Sequence, residues 1–300
     1  MRFLVCFLTC LVALEGSARS ADKSAGEPTR ASQPALKTYE TQGWLVQESE
    51  TFRVYCRPGL AVAKRLPAAC EALRRQLQET WFGSAGDDWS PRCDIVVHPS
   101  VNEYVRELGP GSRQSSGCTS VDIQKGKVTK RRIDLRADAD DWMNTALPHE
   151  LTHVILAEKF TEKQIPRWAD EGMAILTEPA TRQSERRQSM QRALSRSGRF
   201  SAAELTSMQD YPAADRRDAF YGESASLVAF LIERESPARF LEFLQRSQKS
   251  GFDQALADVY RIRTAGDLDI QWRPRLLDRG SSAELLASRV ARITAGTQLD

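Results

Sequence analysis

Apolar positions along the chain follow two different spacings. Three short runs rich in β-branched and aromatic residues occupy residues 51–55, 94–97 and 121–135. Residues 61–81 and nearly everything after residue 139 instead have apolar residues at helical spacing. The pattern predicts an α+β fold, with a small sheet in an N-terminal lobe (about residues 41–138) and a mainly helical C-terminal lobe (about 139–275).

Residues 121–135 are predicted to form a β-hairpin around Lys125-Gly126-Lys127. Its second arm, residues 128–135, leads into the helical part and is predicted to be an edge strand. Two roles are open for this arm. It either receives an extended peptide as an added strand, or it is an ordinary edge kept soluble by Lys130, Arg131 and Arg132.

Both ends of the chain depart from the pattern of the two lobes. Arg2 precedes an apolar run at residues 3–14 and then several small residues, as in a secretory signal peptide. We predict three segments outside the folded domain: a signal peptide (residues 1–20), a disordered linker (21–40) and a polar C-terminal tail (276–300). The apolar run is too short to span a bilayer. The mature protein is therefore expected to be secreted or periplasmic, with an uncleaved membrane anchor as the alternative.

Composition limits the kinds of partner that the protein is expected to bind and the compartment in which it is expected to work. The formal net charge of +2 over 300 residues indicates neither a nucleic acid nor a membrane surface as partner. Six arginines between residues 182 and 199 predict a basic helix face, which is usually solvated. After signal cleavage four cysteines remain: Cys56, Cys70, Cys93 and Cys118. In an oxidising compartment this even set predicts two disulfides. Three connectivities are possible, and we favour pairing of cysteines adjacent in the sequence.

The candidate chemistry lies in a His-Glu-Leu-Thr-His motif at residues 149–153. The chain has only three histidines, and two are in this motif; the third, His98, is predicted to be a surface or structural residue. Residues four apart lie on one helical face, so His149 and His153 can present imidazole nitrogens to one zinc ion. Glu150 is rotated by about 100° and is better placed as a base than as a ligand. An amphipathic helix with two structural histidines is the alternative.

A catalytic zinc usually has three protein ligands and one open position. Glu171 is the candidate third ligand, because it follows a predicted turn at Pro166 after which a second helix can return beside the first. Gly172 would allow the helix backbones to approach closely. Asp170 is the weaker candidate ligand and a more natural acceptor for a histidine N–H. The alternative to a ligand role is that Glu171 is an ordinary charged residue on the solvated face of a helix.

These motifs, with residues 220–224 ahead of an apolar helix, resemble the peptidase MA-like family of gluzincin metallopeptidases. The resemblance covers residues 44–272 and is strongest over residues 147–230. It implies a zincin-like fold with the active-site helix between the two lobes. It also implies specific roles: zinc ligands His149, His153 and Glu171, the general base Glu150, and Tyr221 as a donor to the carbonyl oxygen. The role of Tyr221 rests mainly on the resemblance, since a tyrosine at a helix start is as often a core residue.

One residue departs from the family pattern. Pro148 directly precedes the first histidine, where a zincin helix usually continues. The helix therefore either begins near Ala146 or Leu147, or begins near Asp140 and kinks.

The expected function is that of an exported zinc metallopeptidase that acts on a peptide or protein substrate. Two alternatives remain from the sequence: an envelope protein that binds zinc without turnover, and a zinc-free binding module. The sequence does not indicate an oligomeric state.

Overall fold

The computed structural model of the chain describes residues 2–6, 36–60 and 65–277. The cleavage zone of the predicted signal peptide, most of the predicted linker and nearly all of the predicted tail lie outside these residues. The last residues of the predicted linker form a strand, Lys37–Thr41. No helix in the described ranges is long and apolar enough to cross a bilayer.

A seven-stranded mixed sheet forms the N-terminal part. Its strands are β1 (Arg2–Cys6), β2 (Lys37–Thr41), β3 (Trp44–Glu48), β4 (Phe52–Cys56), β5 (Cys93–His98), β6 (Gly117–Gln124) and β7 (Lys127–Arg136). They lie in the order β1-β6-β7-β5-β4-β3-β2. Strand β5 is parallel to both β4 and β7, and the remaining neighbours are antiparallel. In β4 the alternate residues Phe52, Val54 and Cys56 are buried, as expected of a strand with one covered face.

The predicted hairpin is present, but its second arm is not an edge strand. Lys125 and Gly126 both have positive φ, 51° and 71°, which suits a two-residue turn between β6 and β7. Strand β7 then pairs with β6 on one side and with β5 on the other. The prediction was wrong because the sequence pattern shows the local hairpin partner but not the distant partner β5. Strand β6 is nearer the edge, and among the described strands only β1, within the predicted signal peptide, lies beyond it.

The described residues contain ten α-helices: α1 (Leu66–Phe82), α2 (Val101–Leu108), α3 (Ala146–Lys159), α4 (Arg167–Ile175), α5 (Ala180–Ser197), α6 (Ala202–Ser207), α7 (Arg217–Arg234), α8 (Pro237–Ser250), α9 (Phe252–Tyr260) and α10 (Ala265–Leu277). The first two flank the sheet, and the other eight form the C-terminal part. The fold is thus α+β, and α3 contacts both β6 and the C-terminal helix α4.

Helix α3 begins at Ala146, which settles the question that Pro148 raised. In the first helical turn, the N–H that proline lacks would have had no partner within the helix, so its loss costs little. Every residue of α3 from Ala146 to Ala157 is buried. This burial fixes the helix between the sheet and the C-terminal helices.

Helix α4 packs closely against α7 through a glycine. A Cβ atom on Gly172 would lie 2.5 Å from Val228 Cγ2 and 2.6 Å from the carbonyl oxygen of Ser224. Only glycine therefore fits at this position without a shift of the α7 backbone. The close approach holds the adjacent Glu171 in the interior, where its side chain is fully buried.

The four predicted disulfide cysteines are free thiols in the structure, and all four are buried. The favoured bond between Cys93 and Cys118 is prevented by topology. These residues lie on β5 and β6, with β7 between them, so the two strands are about 9–10 Å apart. Their partners on β7, Arg131 and Asp134, are three residues apart, so the two cysteines are farther apart still. A disulfide needs Cα atoms within about 7 Å. Cysteine spacing alone did not reveal this intervening strand.

His98 is a structural residue at the end of β5. Its Nε2 lies 2.7 Å from Asp134 Oδ1, and the side chain is buried. Its ring also contacts the ring of Tyr104, with centroids 5.5 Å apart. The histidine therefore joins β5 to β7 and α2, and takes no part in the cluster formed by the other two histidines.

Candidate active site

Two histidines lie one turn apart on α3 and face the same point. The Nε2 atoms of His149 and His153 are 3.1 Å apart, and both side chains are buried. Helix α4 brings Glu171 to them, with its Oε2 3.6 Å from His149 Nε2 and 3.9 Å from His153 Nε2. The structure thus gathers the three predicted metal ligands in one buried cluster.

The spacing and chemistry of this cluster fit a zinc ion. Zinc bonds of about 2.0–2.1 Å at tetrahedral angles place ligand atoms about 3.3 Å apart, close to the three separations observed. Glu171 Oε2 is buried and has no hydrogen-bond partner among the described residues. A buried carboxylate oxygen without a partner is costly, and a cation at this point would remove that cost. Two imidazole nitrogens and one carboxylate would leave a fourth position open for water.

Each histidine has a carboxylate behind it. His149 Nδ1 lies 2.9 Å from Glu178 Oε1, and His153 Nδ1 lies 2.8 Å from Asp170 Oδ1. A carboxylate at the outer nitrogen holds the proton there and directs the free lone pair of Nε2 inward. The two imidazoles are therefore oriented as metal ligands by groups outside the cluster.

The carboxylate behind His149 is held by a buried arginine. Arg186 Nε and Nη2 each lie 2.6 Å from one oxygen of Glu178, which is the bidentate arrangement of a strong charge-assisted pair. Burial alone would raise the pKa of Glu178, but Arg186 and His149 outweigh it and lower the pKa to about 2. Glu178 is consequently an anion at neutral pH. Arg186, one of the six arginines predicted to be solvated, is instead mostly buried, and its side chain is 12% exposed.

Glu150 points from α3 toward strand β6 rather than toward the ligand atoms. Its side chain is buried, and its Oε2 accepts a hydrogen bond of 2.7 Å from the hydroxyl of Thr119. Gly117 lies directly against the same side chain. The carboxylate therefore sits beside the cluster, where a general base for a water molecule would be needed.

Comparison with known proteins agrees with this geometry. A sequence profile described as the peptidase MA superfamily matches residues 126–278, just over half of the chain. The chain belongs to the peptidase MA superfamily. The match begins in the β6–β7 turn and runs through α3, α4 and α7, so it includes every residue of the cluster. No curated protein matches the sequence significantly.

Membership of the peptidase MA superfamily supports a peptidase, and peptidases of this superfamily are usually zinc-dependent. The family resemblance inferred from the two motifs is thereby confirmed. In this setting the buried cluster of His149, His153 and Glu171 is a candidate metal centre.

Two tyrosines lie near the third candidate ligand. The hydroxyl of Tyr211 donates a hydrogen bond to Glu171 Oε1. Tyr221, on α7, packs beside Tyr211 with ring centroids 6.1 Å apart, and it is 4% exposed. Burial and the negative charge of Glu171 raise the pKa of both phenols, so both are neutral donors at physiological pH. The structure thus adds a phenol, Tyr211, that was not predicted to be near the site.

A cleft of about 820 Å³ opens beside the candidate metal centre and reaches Thr119, His153 and Asp170. Its volume is within the usual range for ligand-binding clefts. The apolar part of its lining includes Val121, Ile123, Ile165 and Phe252. The charged part carries both signs: Lys125, Lys163 and Arg167 against Glu162, Asp170 and Asp210. The cleft therefore combines apolar and charged side chains without a dominant charge.

Sequence reasoning missed three residues of the site: Thr119, Glu178 and Tyr211. Glu178 lies in the bend between α4 and α5, so helical spacing from Glu171 gave no signal for it. The other two had no signal either. Thr119 is 31 residues from Glu150 along the chain, and Tyr211 is 40 residues from Glu171. Contacts at that separation depend on how β6 and the segment before α7 pack.

Proposed function

We propose that this protein is an exported zinc metallopeptidase of the gluzincin type, with His149, His153 and Glu171 as zinc ligands and Glu150 as general base. The observation that carries the proposal is the buried Oε2 of Glu171, which lacks a hydrogen-bond partner among the described residues and faces two imidazole nitrogens. The distances of 3.6 and 3.9 Å from this oxygen to the two nitrogens are too long for direct hydrogen bonds and leave room for a cation between the three groups.

The protein's own residues have distinct tasks in this mechanism. Zinc, when bound, would act as a Lewis acid toward the scissile carbonyl and lower the pKa of the attacking water. Glu150 accepts the proton of that water and later passes it to the nitrogen of the leaving amine. Tyr221 donates a hydrogen bond to the carbonyl oxygen as it becomes negative. Glu178 and Asp170 keep the histidine rings in orientation.

The substrate is a peptide in extended conformation laid along β6. Strand β6 pairs with the short segment β1 in antiparallel register, with Val5 opposite Thr119. This edge can therefore accept an extended chain next to Glu150, in the manner of strand addition. Cleavage of the predicted signal peptide would remove β1 and leave the edge open. Export itself rests on the leader sequence, namely Arg2 followed by an apolar run and small residues.

The alternative with a specific observation in its favour is a zinc-binding protein without turnover. Tyr211 donates to Glu171 Oε1, so one oxygen of this carboxylate is fixed, and the other could hold zinc in a stable structural site. A peptide-library digest with and without a chelator separates this alternative from an enzyme.

The decisive variant is Glu150→Gln, which retains the size of the side chain but cannot accept the proton. Zinc content and thermal midpoint should stay at the wild-type level, while kcat/KM falls by about 10²–10⁴-fold. Glu185→Gln is the matched control, since Glu185 is on the exposed part of α5 with a side chain 58% exposed. Wild-type turnover by Glu150→Gln would refute the mechanism. A zinc-loaded wild-type protein that cleaves no peptide would favour the alternative, a zinc-binding protein without turnover.

A further inference from the structure

Strand β6 holds the side chain of Glu150 at two points. Residues two apart on a strand face the same side, so Gly117 and Thr119 both point toward α3. The hydroxyl of Thr119 is 2.7 Å from Glu150 Oε2 and 3.0 Å from the main-chain oxygen of the same residue. Thr119 is 2% exposed and Glu150 is 1% exposed. Water therefore does not compete strongly for this hydrogen bond.

The hydroxyl has one hydrogen to donate and two oxygens of Glu150 within reach. A bond to the ionised carboxylate is the stronger choice, because charge-assisted hydrogen bonds are shorter and stronger than neutral ones. Thr119 is β-branched, and its χ1 angle is restricted in a strand. The donor is thus fixed in direction, and it fixes one oxygen of the carboxylate.

Gly117 supplies the space that the carboxylate occupies. A Cβ atom there would lie 2.6 Å from Glu150 Cγ and 2.8 Å from Glu150 Oε1. Gly117 is not among the glycines with positive φ, so its backbone conformation would accept alanine. The requirement for glycine at this position therefore comes from Glu150 and not from the turn of the main chain.

We propose that Thr119 and Gly117 are positioning residues for Glu150: the hydroxyl orients the carboxylate, and the missing side chain leaves room for it. The inference rests on the proposed function, in which Glu150 is the general base. A general base must lie within about 3 Å of the atom whose proton it removes. The long side chain of a glutamate reaches that position reproducibly only when neighbouring groups hold it.

The first test compares Thr119→Val with Thr119→Ser. Valine keeps the shape but removes the hydroxyl, and serine keeps the hydroxyl but removes a methyl group. For Thr119→Val we expect kcat to fall by about 10–100-fold with KM nearly unchanged and zinc content unchanged. Thr119→Ser should retain most of the wild-type kcat. Thr51→Val is the matched control, because that buried hydroxyl also contacts a carboxylate, Asp88 Oδ1 at 3.3 Å.

The second test uses Gly117→Ala, with Gly111→Ala as its control. A Cβ on Gly111 would meet nothing within 4 Å. Gly117→Ala should lose activity to a similar degree as Thr119→Val while it still binds zinc, and Gly111→Ala should behave as wild type. If Thr119→Val and Thr119→Ser lose kcat equally, shape rather than the hydroxyl matters and the positioning role is overturned. Full activity in Gly117→Ala would overturn the role of Gly117.

A binding measurement keeps the inference testable without turnover. A peptide hydroxamate binds an active-site zinc and can also form a hydrogen bond with a neighbouring carboxylate. Its affinity, measured by calorimetry, should fall on Thr119→Val in the wild-type background but not in the Glu150→Ala background. Equal losses in both backgrounds would overturn the inference. An active wild type with an equally active Thr119→Val refutes only the positioning role, whereas an inactive, zinc-loaded wild type refutes the proposed peptidase.

Discussion

The two carboxylates behind the histidines should contribute differently to the stability of the protein. A comparison of Glu178→Gln with Asp170→Asn measures this difference. Both variants keep side-chain size and remove one charge. Glu178 has a side chain 2% exposed and pairs with Arg186, whereas Asp170 is 18% exposed. Loss of the charge on Glu178 therefore leaves a mostly buried guanidinium without its counter-ion, and loss of the charge on Asp170 does not.

The magnitudes follow from this burial. Removing one partner of a buried ion pair costs about 3–5 kcal/mol, so Glu178→Gln should lower the free energy of unfolding of the zinc-free protein by about that amount. Asp170→Asn weakens a single partly exposed contact and should cost about 1 kcal/mol. Each variant should weaken zinc binding by about 10–100-fold, because each loosens the orientation of one ligand histidine.

Zinc affinity is measured by competition with a chromophoric chelator, and stability by urea denaturation of the zinc-free protein. A double variant, Glu178→Gln with Arg186→Met, separates the two effects. It removes both buried charges, so stability should return toward wild type while zinc affinity stays low. If Glu178→Gln is as stable as Asp170→Asn and binds zinc like wild type, the pair with Arg186 does not support the site and the reasoning fails.

Three further predictions concern other groups. Burial raises the pKa of Glu223 from the ordinary glutamate value of 4.5 to about 8. The folded chain therefore keeps a proton that the unfolded chain releases, and stability falls as the pH rises between these two values. Glu223→Gln should match wild type in urea denaturation near pH 4 and exceed it by up to about 5 kcal/mol at pH 9; parallel pH profiles would contradict this. Thiol titration of the denatured, unreduced mature protein should detect all four remaining cysteines, and two or none would show that disulfides form. Tyr221→Phe should lower kcat about tenfold or more with little change in KM, and an unchanged kcat would leave it a packing role.

Sequence patterns were sufficient to predict the features that depend on residues close together along the chain. The spacing of His149 and His153 follows from the helical period, and the turn before Pro166 brings a second helix back beside the first. The α+β class also follows from the two apolar spacings. These features depend on residues a few positions apart, so one sequence specifies them.

The predictions that failed depend on contacts between distant segments. The pairing of β5 with β7 made the predicted edge strand an interior one, and it separated Cys93 from Cys118. The burial of Arg186 depends on Glu178. In a helix with many arginines, nothing in the spacing marks the one that is buried. Periodicity describes which side of an element is apolar, but it does not say which other element covers that side.

The charges around the candidate metal centre support one reading of the fold. Three buried carboxylates, Glu150, Glu171 and Glu178, lie around this centre, and Arg186 pairs with Glu178. Burial would lower the pKa of His149 and His153, but the carboxylates around them outweigh it and raise both. In the zinc-free protein these carboxylates favour a proton on the imidazoles, and a divalent cation between the two rings would offset the same negative charge. Metal binding and folding are therefore expected to be coupled in this protein. The same arrangement explains why the carboxylate that pairs with Arg186 is Glu178, behind a histidine, while Glu171 keeps one oxygen directed at the point between the two rings.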